Sequence, residues 1–244
     1  MSSAAGTSAT PAVIVLAAMA TEVRPLVRAL GLAPSTSDGH RSWTGSVKGE
    51  RVVVATIGIG PERAERSTSR ILGAEAARRV IVAGVSGAVD PALGVADLLV
   101  PRAVVDQASG RLYQPQPSAT APRGTLLTCD ALVTGSDTAA ALGASGISAV
   151  DMETAAVAAV CDRKGIPWSV YRSMSDRVAD GILDATMITL LRADGRIDPL
   201  AAARMAARRP GTLRRLARLG MDTRAAVASL TRAVHDDISG MLSE

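Results

Sequence analysis

Apolar runs of strand length alternate along this sequence with stretches in which the apolar residues have helical spacing. The runs occupy residues 12–18, 51–57, 79–85, 97–105, 125–129, 147–151 and 168–173. The stretches with helical spacing occupy residues 21–31, 61–78, 136–144 and 153–164. Most of the runs are continuously apolar, which is typical of strands covered on both faces. The alternation therefore predicts an α/β fold built on a largely parallel sheet.

Three segments fall outside this alternation. Residues 1–11 have no apolar period, and we expect a disordered leader there. Residues 106–124 are rich in Pro, Gln, Ser and Gly, and predict one long irregular loop of the kind that is usually functional or disordered. From residue 192 the composition becomes basic. We therefore expect a main domain over 12–191 and a basic helical extension, packed on that domain, over 192–244.

The C-terminal segment 199–221 combines arginines with leucines. It contains six Arg and no acidic residue before Asp222. The pattern predicts two short amphipathic helices separated at Pro210-Gly211. The ordinary interpretation is a solvated arginine face on a packed helix. The alternative is a surface that meets anionic lipid headgroups, to which each Arg would contribute about 1 kcal/mol.

Composition narrows the classes of function. The 244 residues include two His, two Cys and no Phe, and aromatic residues make up 2%. Two His and two Cys are too few for the usual zinc sites or for a disulfide framework. So few aromatics, with a formal net charge of only +4, argue against a nucleic-acid partner. No motif suggests a metal or an organic cofactor.

Three features bear on the cellular compartment. The longest uninterrupted apolar run, from Ala12 to Ala20, is nine residues, about half of what a membrane-spanning helix needs. No Lys or Arg precedes it, so the positive region of a signal peptide is missing. Cys129 and Cys161 lie in apolar stretches, which favours two buried reduced thiols. Together these features predict a cytoplasmic protein.

Carboxylates follow several of the predicted strands. Glu22 comes just after the first strand, Asp151 and Glu153 lie at the end of the sixth, and Asp176 follows the seventh. Ligands of open α/β sheets bind at the carboxyl ends of the strands, so these groups should converge on one crevice. A single carboxylate in such a place is more often a helix cap or a first-turn charge. Their joint placement favours a site.

Several carboxylates in one crevice suit cleavage at the anomeric carbon of a sugar. The oxocarbenium-like transition state needs an acid for the leaving group and a base for water, and a further carboxylate could bind the sugar diol. Glycine clusters at 58–60 and 84–87 each follow a strand. Neither completes a dinucleotide-binding motif, and no P-loop is present, so they indicate only tight turns and close ligand approach.

The order of these motifs resembles the nucleoside phosphorylase and nucleosidase superfamily, especially methylthioadenosine/S-adenosylhomocysteine nucleosidases. The resemblance runs from residue 12 to about residue 190. It is carried by AMATEV at 18–23, GIG at 58–60, GVSGA at 84–88 with GVAD at 94–97, VDME at 150–153 and RSMSD at 172–176. It implies a three-layer α/β/α fold around a central mixed, largely parallel sheet of the purine nucleoside phosphorylase type.

The resemblance also implies roles for individual residues. Glu22 falls at the position that activates the attacking water, with Arg172 close to both. Glu153 and Met152 fall at the positions that bind and pack the ribose. Asp176 falls at the position that helps to protonate the purine at N7. A segment that begins at Asp130 falls at the base pocket and includes Leu132 and Val133. The other substrate-binding positions are Gly60, Gly84, Val85 and Ser175.

Two departures from the family pattern bear on binding and on the reaction. Leu132 stands where the nucleosidases usually have a stacking aromatic, so adenine would be held by apolar contacts and hydrogen bonds. Phosphorylases of the superfamily bind phosphate partly through an Arg just before the central glycine loop. Residues 81–83, Ile-Val-Ala, supply none. This favours hydrolysis over phosphorolysis.

The tail carries LRADGRID at 191–198, RRPG at 208–211 and LRRLARL at 213–219. It resembles the tail of the hopanoid-associated phosphorylases, which act as adenosylhopane nucleosidases. A basic, leucine-rich tail suits a lipid-linked adenine nucleoside taken from a membrane surface. We therefore expect release of adenine from adenosylhopane, at the inner face of the membrane. The alternatives are a methylthioadenosine/S-adenosylhomocysteine nucleosidase, a phosphate-dependent purine nucleoside phosphorylase, or a nucleoside-binding protein without activity. The resemblance also implies a homodimer in which a neighbouring subunit helps to close each site.

Overall fold

The computed structural model describes residues 10–37, 40–118, 120–181 and 211–240. Within them, eleven strands form one sheet. The strands are β1 (Ala12–Ala17), β2 (Ala33–Ser37), β3 (His40–Val47), β4 (Glu50–Thr56), β5 (Ala77–Ala88), β6 (Leu98–Leu99), β7 (Ala103–Asp106), β8 (Leu112–Tyr113), β9 (Thr125–Thr128), β10 (Ala149–Asp151) and β11 (Trp168–Arg177). The helices are α1 (Ala20–Ala29), α2 (Pro61–Ala74), α3 (Ser136–Ala144), α4 (Thr154–Lys164) and α5 (Gly211–Gly240), with a 3₁₀ turn at Val178–Asp180.

Parallel and antiparallel pairs both occur in this sheet, whose main path runs β2-β3-β4-β1-β5-β10-β9-β7-β8. β1 is parallel to β4 and β5, β11 is parallel to β5, and β9 is parallel to β10 and β7. Antiparallel pairs join β2 to β3, β3 to β4, β5 to β10, β6 to β11 and β7 to β8. The prediction of an α/β fold with a mixed sheet is confirmed.

Both faces of the central strands are buried, which explains their continuous apolar sequences. On β1, Ile14 and Leu16 face a cluster that includes residues of α2 and α4. Val13 and Val15 face the opposite cluster, which includes residues of α1 and α5. The sheet is therefore the middle layer of three, as a chain with alternating strands and helices requires.

β5 branches the sheet. One of its edges pairs with β11 from Val80 to Ala88. The other edge pairs with β1 as far as Val82 and then with β10 only from Gly87. Between these two pairings, residues 83–86 have no strand partner on that edge among the described strands. We call this interval the open edge.

The structure differs from the sequence-based elements in several places. The antiparallel strands β2 and β3 were not predicted, because their sequences are mostly polar and have no apolar period. The run at 97–105 forms two short strands, β6 and β7, separated at Pro101, which cannot donate a ladder hydrogen bond. The helix predicted over 61–78 ends at Ala74, and the predicted loop at 106–124 contains the short strand β8.

The C-terminal helix α5 is longer than predicted. We expected two short helices that break at Pro210-Gly211, but one helix of 30 residues begins at Gly211, and the first expected helix lies outside the described residues. The apolar residues Leu230, Val234 and Ile238 have helical spacing and are fully buried. A partly buried ion pair between Asp237 and Arg79 links α5 to β5. The helix is therefore part of the core.

Both cysteines are free and buried, as expected for reduced thiols. Burial raises the pKa of each thiol to about 12, so neither is a reactive thiolate near neutral pH. Among the described helices, none combines the length and the hydropathy that crossing a membrane requires.

Candidate active site

A cavity of about 160 Å³ opens beside the open edge. Its walls come from the segments that follow the carboxyl ends of β1, β4 and β9, and from the final residues of β10 and β11. This is the place where α/β sheets bind ligands. The lining residues are Ala18, Met19, Glu22, Ile59, Val85, Ser86, Gly87, Ala131, Leu132, Val133, Val150, Asp151, Met152, Glu153, Ser175, Asp176 and Val178.

Glu22 joins α1 to the open edge. One carboxylate oxygen, Oε2, accepts the N–H of Met19 at 2.8 Å, which caps the helix. The other, Oε1, accepts the N–H of Val85 at 2.9 Å. Burial raises the pKa of Glu22, whereas the Val85 N–H, the Arg172 charge and the Met19 N–H lower it. Glu22 is thus a desolvated carboxylate whose ionised form is stabilised from three directions.

Arg172 lies behind the cavity on β11 and is only 2% exposed. Its guanidinium forms an ion pair with Asp151 and a hydrogen bond of 2.6 Å with the Thr154 hydroxyl. Gly84 leaves the space that the guanidinium occupies. A Cβ at Gly84 would lie 2.1 Å from Arg172 Nη1 and 3.0 Å from Glu22 Oε1. The glycine therefore permits Arg172 to approach the open edge beside Glu22.

Glu153 is the N-cap of α4 and reaches across to the glycine loop that follows β4. Its Oε1 accepts the N–H of Gly60 at 2.9 Å. Gly60 has a φ of +91°, which favours glycine. Burial first, and then the neighbouring Asp151 charge, raise the pKa of Glu153 to about 7. Met152, which is half-buried, lines the cavity next to Glu153.

Asp176 enters the cavity because β11 is irregular near its end. The pairing register with β5 shifts between Met174 and Asp176, so that Ser175 and Asp176 both line the cavity. The Ser175 hydroxyl donates to Asp176 Oδ1 at 2.7 Å. Burial nevertheless raises the pKa of Asp176. A carboxyl group in this environment holds its proton more tightly than one in water.

The structure brings most of the expected site residues to one cavity. Eight line it, namely Glu22, Asp176, Glu153, Met152, Val133, Leu132, Val85 and Ser175. Gly60 and Arg172 lie behind the lining. Gly60 donates its N–H to Glu153, and Arg172 pairs with Asp151. Gly84 provides the space for Arg172. Asp130 is exposed and does not line the cavity. In the described part of the chain, no cluster of three or more His, Cys, Asp or Glu has the arrangement of a metal site.

Some members of the site were not expected from the sequence. Met19, Ile59 and Val178 add apolar wall. Thr128 and Thr154 donate to Asp151 through their hydroxyls. The spacing of Asp151 and Thr154 carried a usable signal, because an Asp followed three residues later by a helical residue is a common cap. Thr128 carried none, since it meets Asp151 only through the pairing of β9 with β10.

Replacing Glu153 with glutamine is expected to stabilise the protein at alkaline pH. The folded state holds the Glu153 proton up to about pH 7, whereas the unfolded chain loses it near pH 4.5, so the free energy of unfolding falls as pH rises through this window. At pH 8 the gain should approach about 3 kcal/mol, and at pH 5 it should be small. Denaturant unfolding at both pH values measures this difference, and an equal gain at both would contradict the assignment.

Comparison with known proteins places the chain in a family. The model of the Phosphorylase superfamily matches residues 12–123 and 116–208. No curated protein gives a significant match. A 5′-methylthioadenosine/S-adenosylhomocysteine nucleosidase from Neisseria meningitidis, solved with methylthio-immucillin-A, superposes with a TM-score of 0.72 at 19% identity, over 94% of this chain and 99% of that one.

Two further solved structures show the same fold. Futalosine hydrolase from Helicobacter pylori has a TM-score of 0.70 at 19% identity, over 95% of this chain and 98% of that one. A methylthioadenosine/S-adenosylhomocysteine nucleosidase from Colwellia psychrerythraea, solved with adenine, has a TM-score of 0.70 at 20% identity, over 95% and 96%. The family model covers most of the sequence, and it confirms the superfamily indicated by the motifs. The chain belongs to the phosphorylase superfamily.

Proposed function

We propose that the protein is a purine nucleoside N-glycosidase that releases adenine from a 5′-substituted adenosine. One observation carries this proposal. Glu22, Glu153 and Asp176 come from three separate elements, are each at most 6% exposed, and line a single cavity. Burying three carboxylates together is costly for folding, and such groups with perturbed pKa values are concentrated at catalytic sites.

The raised pKa of Asp176 suits a group that delivers a proton. As the C1′–N9 bond breaks, its electron pair moves into the purine, and a proton supplied at N7 makes the base a better leaving group. Asp176, with Ser175 bonded to it, is the donor in this proposal. General acid assistance of this kind is typically worth about 10²–10⁴-fold in rate.

Glu22 and Glu153 act on the sugar side. Water attacks C1′ of the oxocarbenium-like sugar and loses a proton to Glu22, whose ionised form is favoured by the Val85 N–H and the Arg172 charge. Glu153, when ionised, accepts hydrogen bonds from the ribose hydroxyls and holds C1′ in place. Two carboxylates near the ring also stabilise its developing positive charge.

The charge of the site supports water rather than phosphate as the nucleophile. Among the residues that the structure describes, four that line the cavity are carboxylic acids and none is a Lys or an Arg. Arg172, whose guanidinium lies behind the cavity, is already paired with Asp151. A phosphate dianion would meet an unfavourable potential here, whereas a cationic sugar transition state would be stabilised.

We propose adenosylhopane as the substrate. The resemblance of the tail to the hopanoid-associated phosphorylases supports this, and so does the apolar wall at Leu132. On the outer surface of α5, Met221 is 61% exposed between the exposed Arg218 and Arg224. An apolar side chain flanked by arginines suits contact with anionic headgroups at the inner face of the membrane. The resemblance also supports a cytoplasmic homodimer.

The second candidate is a methylthioadenosine/S-adenosylhomocysteine nucleosidase. The likeness to the Neisseria meningitidis and Colwellia psychrerythraea nucleosidases favours it. The same three carboxylates would serve, because the two substrates differ only in what is attached at C5′. A phosphorylase is the third candidate and predicts a strict dependence on phosphate.

Chromatographic measurement of adenine release separates these candidates. The panel comprises methylthioadenosine, S-adenosylhomocysteine, adenosine and an adenosyl nucleoside with a bulky apolar 5′ group, each with and without phosphate. We expect cleavage of the apolar substrate without phosphate. Efficient cleavage of the small thio-nucleosides would establish the second candidate, and dependence on phosphate the third. Adenine binding without release from any substrate would contradict the enzymatic proposal.

Charge-removal variants test whether the tail brings the protein to the membrane. Deletion of 192–244 is unsuitable because it removes core residues of α5 such as Leu230. We instead propose R208Q/R209Q/R218Q, with R24Q/R28Q/R66Q as the control of equal charge. On anionic vesicles that carry the apolar nucleoside, only the tail variant should lose activity. Equal activity of both variants would leave the arginines an ordinary solvated surface.

A further inference from the structure

One buried acid beside the cavity has no part in the mechanism above. Asp151 ends β10, lines the cavity and is 7% exposed, and its carboxylate accepts several hydrogen bonds from protein donors. Oδ1 accepts the Thr128 hydroxyl at 2.6 Å. Oδ2 accepts the Thr154 N–H at 2.9 Å, the Thr154 hydroxyl, and Arg172 Nη2. So many bonds within the protein leave Asp151 poorly suited to bind a nucleoside.

The same bonds fix the orientation of the Arg172 guanidinium. Nη2 donates both to Asp151 Oδ2 and to the Thr154 hydroxyl, which uses its two hydrogens. The Thr154 hydroxyl can accept from Arg172 while donating to Asp151, so Arg172, Thr154 and Asp151 are each hydrogen-bonded to the other two. With Nη2 held in this way, Nη1 lies over Gly84, on the side of Glu22.

The rigid elements around Asp151 support this arrangement. Thr128 lies opposite Asp151 in the parallel pairing of β9 with β10, and its hydroxyl also accepts the N–H of Ala155 at 3.0 Å. Thr154 is the first residue of α4. The guanidinium is therefore held both by the end of β10 and by the N-terminus of α4. Contacts from two rigid elements position a functional group precisely.

We propose that Asp151, together with Thr154, is a positioning residue that holds the Arg172 guanidinium against Glu22, so that the positive charge falls on the base that activates water. This inference rests on the proposed function for its kinetic consequence. Its structural consequence, the electrostatic coupling of Arg172 to Glu22, does not depend on which substrate is cleaved.

Three charged groups of the described chain act on the Glu22 carboxylate or its neighbours. Arg172 on β11 lowers the pKa of Glu22. Glu153, at the start of α4, is coupled to Glu22 by repulsion, and Asp151 raises the pKa of Glu153 and pairs with Arg172. Loosening Arg172 therefore removes the one nearby positive charge and should leave Glu22 protonated at a higher pH.

The test uses Thr154→Val, which keeps the shape of the side chain and removes only the hydroxyl. Thr154→Ser restores the hydroxyl. Thr68→Val is the matched control, because Thr68 is fully buried in α2 and its hydroxyl has no partner. Asp151→Asn is the second variant, and it removes the charge that pairs with Arg172. The full chain is used throughout, with circular dichroism and thermal melts to verify folding.

We expect Thr154→Val to lower kcat about tenfold with little change in KM. The acidic limb of the pH profile of kcat/KM should move to higher pH in Thr154→Val, where no carboxylate is lost. Asp151→Asn is compared only in the direct titration of Glu22 below, because loss of the Asp151 charge itself lowers the pKa of Glu153. Thr154→Ser should recover the wild-type profile, and Thr68→Val should retain it. A fall in kcat with an unmoved acidic limb would overturn the proposal, because it would mark Thr154 as merely structural.

A spectroscopic arm keeps the inference separate from the proposed function. The ¹³C resonance of the Glu22 side-chain carboxyl, assigned by its loss in Glu22→Gln, is titrated without ligand. The pKa of Glu22 should rise in Thr154→Val whether or not any nucleoside is cleaved. A raised Glu22 pKa without cleavage of any nucleoside would contradict the proposed function and leave the positioning role intact. An unchanged Glu22 titration in both Thr154→Val and Asp151→Asn would overturn the positioning role whatever the activity.

Discussion

Replacing Asp176 with asparagine is expected to lower kcat by about 10²–10⁴-fold, while nucleoside binding survives. The amide preserves the shape and can still accept the Ser175 hydroxyl, but it has no proton to deliver to the purine. Since burial holds the Asp176 pKa above its usual range, the wild-type group is a better donor than an exposed Asp. Single-turnover adenine release and calorimetric titration with a substrate analogue measure the two quantities separately.

Asp236→Asn is the matched control for this prediction. Asp236 lies on α5 and its side chain is exposed. Its replacement should leave turnover within about twofold of wild type, as expected for surface changes away from the reacting atoms. Near-normal turnover of Asp176→Asn would remove Asp176 from the mechanism, and equal losses in both variants would indicate a general loss of negative charge.

Replacing Gly84 with alanine is expected to abolish most activity without unfolding the chain. The new methyl group would lie 2.1 Å from Arg172 Nη1 and 3.0 Å from Glu22 Oε1. The end of an arginine side chain can usually move away, but here Asp151 and Thr154 hold it. Displacement of a charged group by about 1 Å can cost about 10²-fold in kcat/KM, with about 1–3 kcal/mol of overpacking.

Gly73→Ala provides the control, because a Cβ at Gly73 would meet no atom within 4 Å. Gly73 is exposed in α2, where alanine should stabilise the helix by about 0.5–1 kcal/mol. Activity should be unchanged. Measurements of kcat/KM and of the denaturant midpoint on both variants test the prediction. If Gly84→Ala lost stability but retained activity, the position of Arg172 would be unimportant for turnover.

The central strands could be predicted because burial on both faces leaves a strong local signal. β1 reads Ala-Val-Ile-Val-Leu-Ala, and every residue in it is buried. The hairpin of β2 and β3 could not be predicted in the same way. Its polar residues are paired by a ladder with β4, so the information that makes these segments strands lies elsewhere in the chain.

The site shows the same division between local and distant information. Glu22, Glu153 and Asp176 could be predicted because each lies at or just after the carboxyl end of a recognisable buried strand, and such strand ends meet at one place. The partnership of Thr128, Asp151 and Arg172 joins three different strands of the sheet. It depends on pairing register, which a one-residue slip would destroy. The sequence alone therefore indicated the groups of the site but not what holds them.

The open edge on β5 has a consequence for how such a protein can change over time. The opening exists because β1 stops pairing at Val82 and β10 starts at Gly87, so main-chain geometry alone defines it. Wall side chains that take no part in this strand pairing can therefore be exchanged while the opening persists. Mutation of wall positions such as Leu132 can then alter which ligand is accepted, without moving the place of acceptance. Divergent chains can thus inherit a location and acquire new chemistry around it.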